Sequence, residues 1–229
     1  MEEAYLRVKE TIAQAARRAG RQPQEIALIA VSKYATMQQV EQLHQLGQQA
    51  FAENRADKLL EKNEQLSFQP IWHFIGQLQT NKVKYIIDKV SLIHSVDRLS
   101  LAKEIDKRAA QHHLHMDVLL QVRFDENPQR GGVAPQELEA LLCACGALSS
   151  IAVRGLMCVA PLHADRAQTE RCFDALYELS QQLKGRCPQN ASMEHLSMGM
   201  SNDFAVAVEE GATIVRVGTR LFGERTYLV

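Results

Sequence analysis

One lysine in this chain stands where a reactive amine belongs. Lys33 follows a seven-residue run that is almost wholly apolar, Ile26-Ala27-Leu28-Ile29-Ala30-Val31-Ser32. An amine stripped of water by apolar walls favours its neutral form, and a neutral amine attacks carbonyls. A strand-end lysine pointing to solvent fits the same position. Two later segments bear on the choice. Ser197-Met198-Gly199-Met200-Ser201 and Val217-Gly218-Thr219 are glycine-and-hydroxyl turns, each leading toward a helix. Small residues let backbone N–H groups approach an anion, and a helix N-terminus adds a favourable dipole. Either turn alone also reads as ordinary helix capping. An amine facing two such turns suits a compound that carries an aldehyde at one end and a phosphate at the other.

These groups converge only if the elements carrying them end on one face. Apolar runs at 26–32, 50–53, 71–75, 91–94, 116–122, 153–159, 193–197 and 213–217 read as eight strands, several apolar on both faces as in a covered parallel sheet. Helical spacing at 37–46, 56–66, 80–89, 97–112, 135–147, 166–184 and 201–210 separates them, and a further helix at 3–19 precedes them. Parallel neighbours need crossovers of about a dozen residues, and the gaps supply them. Eight βα units in 229 residues predict an α/β fold, a single (β/α)8 TIM-like barrel with an additional N-terminal helix. An open doubly wound sheet is the alternative. No Pro/Gly/Ser-rich linker divides the chain, so residues 1–229 read as one domain. In a barrel, chemistry sits where strands end. That end would gather Ser32-Lys33-Tyr34, Glu53-Asn54-Arg55, His73 with the exit from Gly76 to Lys82, His94-Ser95, the stretch from Ser197 to Asp203, and Arg216 with the exit from Gly218 to Gly223.

Composition narrows the partners. Lys and Arg number 26 against 27 Asp and Glu, a formal charge of −1, which leaves no basic surplus for a phosphate backbone. No nucleic-acid partner is expected. The N-terminal residues are acidic and amphipathic, unlike a cationic leader, and no run of about 18 apolar residues suggests a membrane span. Five cysteines (Cys143, Cys145, Cys158, Cys172 and Cys187) lack paired spacing, which suits reduced thiols in a cytoplasmic protein. Cys143 and Cys145 fall in the helical pattern of Leu138, Leu141 and Leu142 and are expected to face the core. His112, His113 and His115 lie in the connection before the fifth strand, at the face of a barrel that serves stability, so no metal role is expected. The polar loop over 124–132 reads either as a rim over the site or as solvent-facing loop.

Several segments carry a family resemblance. They include Val31-Ser32-Lys33, Phe51-Ala52-Glu53-Asn54, Trp72-His73-Phe74-Ile75-Gly76-Gln77-Leu78-Gln79-Thr80-Asn81-Lys82 and His94-Ser95-Val96-Asp97. Others are Arg154-Gly155-Leu156-Met157, the stretch from Leu196 to Asp203, and that from Arg216 to Gly223. In order and over nearly the whole chain, they resemble the pyridoxal-phosphate (PLP) homeostasis proteins. The resemblance implies a single barrel like the N-terminal domain of alanine racemase, a monomer, with PLP as cofactor in a Schiff base on Lys33. It implies that Ser197, Ser201, Gly218 and Thr219 hold the phosphate. Arg216 would lie near the pyridine nitrogen, Asn54 near the ring, and His73 along the pocket. Ala52 departs from the glycine usual in the Phe-Gly-Glu-Asn segment, and Tyr34 from the small polar residue usual after the lysine.

An arginine at the pyridine nitrogen cannot accept a proton at neutral pH, so the ring stays a weaker electron sink than one protonated beside an aspartate. Racemisation also needs an acid/base group on each face of the substrate carbon. Alanine racemases take the second from a C-terminal β-domain, and this chain stops at Val229. The expectation is therefore a PLP-binding protein of vitamin B6 and amino-acid homeostasis without turnover of its own and without catalytic residues. Free amino acids and PLP-requiring apo-enzymes are its candidate partners. A PLP-dependent amino-acid racemase and a PLP-responsive interaction protein are the alternatives.

Overall fold

The structure is a computed structural model and describes residues 1–125, 131–161 and 163–223. Eight parallel strands follow one another around a closed barrel in chain order. They are β1 (Ala27–Val31), β2 (Ala50–Glu53), β3 (Ile71–Phe74), β4 (Val90–Val96), β5 (Met116–Gln121), β6 (Ile151–Met157), β7 (Ala191–Ser197) and β8 (Ile214–Val217). The first and last strands pair from Ala27 with Ile214 to Ala30 with Val217, which closes the cylinder and excludes the open sheet. This is the predicted (β/α)8 TIM-like barrel.

Strand side chains alternate between the two faces of the sheet. Ile29, Val31, Ala52, Leu92, Leu119, Met157 and Ile214 form a small inner cluster. Their neighbours Ala30, Phe51, Ile93, Val118, Leu120, Val215 and Val217 belong to the larger layer between strands and helices. The same alternation turns His73, His94, Ser197 and Arg216 toward the barrel axis, and Glu53 away from it. β6 and β7 pass so closely at Gly155 (φ 149°) that a Cβ there would stand 1.9 Å from the His195 carbonyl oxygen.

The helices cover the strands with the stripes their spacing predicts. α1 (Glu2–Arg18) buries Tyr5, Val8, Ile12, Ala15 and Ala16. It lies against two short helices, α8 (Phe204–Glu209) and α9 (Thr219–Phe222). α2 (Met37–Gln45) starts at a capping box in which Thr36 and Gln39 exchange hydrogen bonds. α3 (Ala56–Gln65), α5 (Leu99–Gln111), α6 (Pro135–Cys145) and α7 (Arg166–Leu183) fill the remaining crossovers. The Asp165 side chain caps α7.

Several expectations needed correction. The helix expected over 80–89 is a 3-10 turn, Thr80–Lys82, followed by the single turn α4 (Val83–Ile86). Val83, Ile86, Ile87 and Val90 are all buried by that one turn and the entry to β4, so a longer helix has nothing left to cover. β6 begins two residues before the expected 153–159, because Ile151 and Ala152 pair with Met116 and Asp117. The helix expected over 201–210 starts only at Phe204, after a turn closed by Asp203. Cys145 is buried but Cys143 is exposed: the buried stripe of α6 runs through Leu138, Leu141, Leu142 and Cys145, and position 143 falls off it. Among the described residues, no helix is long and apolar enough to cross a membrane. Residues 126–130 of the polar loop lie outside the described residues.

Candidate functional site

A cavity of about 760 Å³ opens at the C-terminal end of the barrel. That size suits a small-molecule ligand. Five of the eight residues that the resemblance assigns to the cofactor line it: Lys33, Ser201, Arg216, Gly218 and Thr219. The loop after β6 adds Ala160, Pro161 and His163, and the loop after β7 adds Met200, Asn202 and Asp203.

Lys33 occupies the rim rather than the floor. β1 ends at Val31, Ser32 is buried, and the Ala35 N–H donates to the Ser32 carbonyl at 2.8 Å, so the chain turns outward at Lys33. Its side chain is exposed, with Nζ 5.1 Å from the centroid of the Tyr34 ring, itself 57% exposed. The barrel walls therefore do not strip Lys33 of water as its position after β1 suggested.

Arg216 is the opposite case, 3% exposed at the cavity base. Its Nη1 donates to Ser197 Oγ at 2.5 Å and its Nη2 to the Cys158 carbonyl at 2.9 Å. Burial pulls its guanidinium below the ordinary arginine value, opposed by Cys158 and Asp203. Ser197 Oγ lies 2.8 Å from His94 Nδ1, and His94 Nε2 lies 2.9 Å from His73 Nδ1. Burial, and then the neighbouring His195, push His73 down to about 4; burial pushes His94 well below 6.5, with His73 and Arg216 adding to it. Both rings are neutral at pH 7. Donors running from Arg216 to Ser197, His94 and His73 in turn satisfy this interior chain.

Three expected residues lie off the cavity wall. Ser197 and His73 belong to the chain beneath it, where they brace Arg216. Asn54 is exposed just past β2.

On the opposite wall, the Gly218 N–H donates to Ser201 Oγ at 3.1 Å, linking the loops after β7 and β8. A Cβ at Gly218 would meet the Val31 carbonyl oxygen at 3.1 Å, so glycine allows β1 and the β8 loop to approach. Asp203 accepts from the Met200 N–H at 2.5 Å, and burial raises its carboxyl. Among the described residues, no group of three or more His, Cys, Asp or Glu could hold a metal ion.

The alanine racemase N-terminal domain family matches residues 6–226. The pyridoxal phosphate homeostasis protein of Aquifex aeolicus (strain VF5) is 43% identical over 226 residues, 98% of each chain. The chain belongs to the pyridoxal phosphate homeostasis family. A second family member, from Pseudomonas aeruginosa, is 38% identical over 98% of this chain and 96% of its own. Among solved structures, PipY of Synechococcus elongatus with PLP bound superposes with a TM-score of 0.83 at 35% identity, over 93% of this chain and all of that one. An alanine racemase from Clostridium difficile shares the fold at 14% identity and a TM-score of 0.73, with 57% of its length covered.

The homeostasis-family fold holds polar groups that the residue pattern did not single out. His94 was noticed only as a strand-end histidine, although Leu92 and His94 alternate and so share the inner face. Glu53 and Lys62 form a buried ion pair at 2.5 Å outside the barrel wall. The signal for it was legible: Lys62 shares a helix face with Leu59 and Leu66, where an unpartnered lysine does not belong.

Proposed function

We propose that this chain binds PLP in the cavity, joined to Lys33 as a Schiff base, and serves vitamin B6 and amino-acid homeostasis without turnover of its own. The observation that carries the reading is one cavity lined by Lys33, Arg216, Ser201, Gly218 and Thr219. The donor set fits such a ligand. The amine supplies a nucleophile for an aldehyde, with water as the leaving molecule. Two hydroxyls and the N–H groups at the head of α9 suit a phosphate. Arg216, fixed by Ser197 and Cys158, presents a donor to the pyridine nitrogen. When bound, PLP supplies an electron sink, which a donor that gives no proton keeps weak.

Ser197 and His73 act in this reading by holding Arg216, not by touching phosphate or ring. Asn54, exposed just past β2, is in this reading the residue near the ring. The exposed rim position of Lys33 suits exchange with free amines better than a sealed reaction chamber. Under the same reading, residues 1–229 form one intracellular monomeric unit that exchanges PLP with free amino acids or apo-enzymes.

Borohydride reduction of the PLP-loaded protein followed by peptide mapping tests the anchor. Added mass on the Lys33 peptide, lost in Lys33→Ala, is the expected result; label on another lysine refutes it. Deuterium entry at the α-carbon of amino acids in heavy water tests the absence of turnover, and rapid exchange would establish a racemase instead.

A further inference from the structure

Every polar atom of Ser32, the residue before Lys33, is held from another element. Its N–H donates to the Ala52 carbonyl at 3.0 Å. Its Oγ donates to Glu53 Oε1 at 2.7 Å, and its carbonyl accepts from Lys62 Nζ on α3 as well as from the Ala35 N–H. Glu53 and Lys62 are 0% and 5% exposed, and they meet at 2.5 Å. Glu53 Oε2 is buried with no hydrogen-bond partner. Such a pair is a poor way to gain stability, because desolvating both charges offsets most of their attraction and apolar residues would pack there equally well. What the charges accomplish is directional. They lock the peptide from which the Lys33 side chain springs, while that side chain itself is exposed.

We propose that Glu53 and Lys62 are positioning residues for Lys33: the pair clamps Ser32 so that the amine enters the cavity at a fixed angle. The inference rests on the reading of Lys33 as the PLP anchor. Without the clamp, the turn at 32–35 keeps its fold but samples several directions, and fewer of them bring Nζ to the aldehyde. The phosphate and ring contacts, made by β7 and β8 loops, are untouched.

The test is the double variant Glu53→Leu/Lys62→Met, which removes both charges and leaves neither buried alone. PLP affinity is followed by visible absorbance, alongside affinity for pyridoxine 5′-phosphate, the alcohol analogue that keeps ring and phosphate but cannot condense with an amine. PLP affinity should fall about tenfold while the alcohol analogue binds within twofold of wild type. Lys62→Arg, which keeps the charge, should restore most of the PLP affinity. A folded double variant that binds PLP within twofold of wild type overturns the proposal, and so does an equal loss for both ligands, the mark of a merely structural role. Should the double variant fail to fold, Ser32→Ala decides by the same two ligands. In wild type, borohydride label absent from Lys33 would instead refute the anchor itself.

Discussion

Acid should weaken this barrel through its buried histidines, and removing one of them should remove a calculable part of the effect. His73 is pushed down to about 4 by burial and by His195, whereas an unfolded histidine titrates near 6.5. Above pH ~6.5 the ring is neutral in both states and adds nothing to the pH dependence. Between ~6.5 and ~4 the unfolded chain takes a proton that the folded chain refuses, so stability falls as pH falls. The slope approaches about 1.4 kcal/mol per pH unit. From pH 7.5 to 5.0 it amounts to about 2 kcal/mol, with a limit of about 3.4 kcal/mol below pH 4. His94, facing His73, Arg216 and His195, is lowered too and adds in the same direction. Urea unfolding of wild type and His73→Leu at both pH values isolates the His73 share. The variant starts weaker, since His94 loses its partner, but should lose about 2 kcal/mol less than wild type on acidification. Equal losses in the two proteins would show that His73 is not held neutral by its surroundings.

Three further outcomes follow from single residues. Gly155→Ala must drive its methyl into the His195 carbonyl, so β6 and β7 separate and unfolding free energy should drop by about 3 kcal/mol or more; a drop under about 1 kcal/mol in urea refutes the contact. Gly218→Ala puts its methyl 3.1 Å from the Val31 carbonyl oxygen and 3.4 Å from Val31 Cβ, so the β8 loop must shift slightly away from β1; the melting temperature should fall little while PLP binds about tenfold more weakly by titration. Equal PLP binding would remove the β8 loop from the phosphate site. Exposed Cys143 should react with a thiol reagent at pH 8 in the native protein. Cys145, buried with its thiol pushed up to about 11, and Cys158 should react only on unfolding, as timed labelling with peptide mapping would show.

The barrel was legible because alternation and helical spacing both survive in short segments. Eight runs of the right type, at crossover distance, permit few closed arrangements. Boundaries were less so: β6 starts at Ile151 because a neighbouring strand pairs there, which no local pattern records. Five expected residues meet at one cavity because strand ends share a face. The hydrogen bond of Ser197 with Arg216 was not legible from its loop, since the arginine reaches it from β8, 19 residues away in sequence. Lys33 was placed after the right strand but given the wrong surroundings. Apolar residues before it say how β1 is covered, whereas the outward turn is closed by the Ala35 N–H on the Ser32 carbonyl, with Glu53 and Lys62 reaching Ser32 from β2 and α3.

A tether fixed at the lip of a well presents its cargo to passers-by. The Ser32 turn leaves Lys33 on that lip, so under the proposed attachment a molecule colliding from outside would meet the bond before it meets the floor. On the proposed attachment, small amines in the surrounding fluid would reach that bond directly, and the cylinder beneath would need no loosening for each transfer.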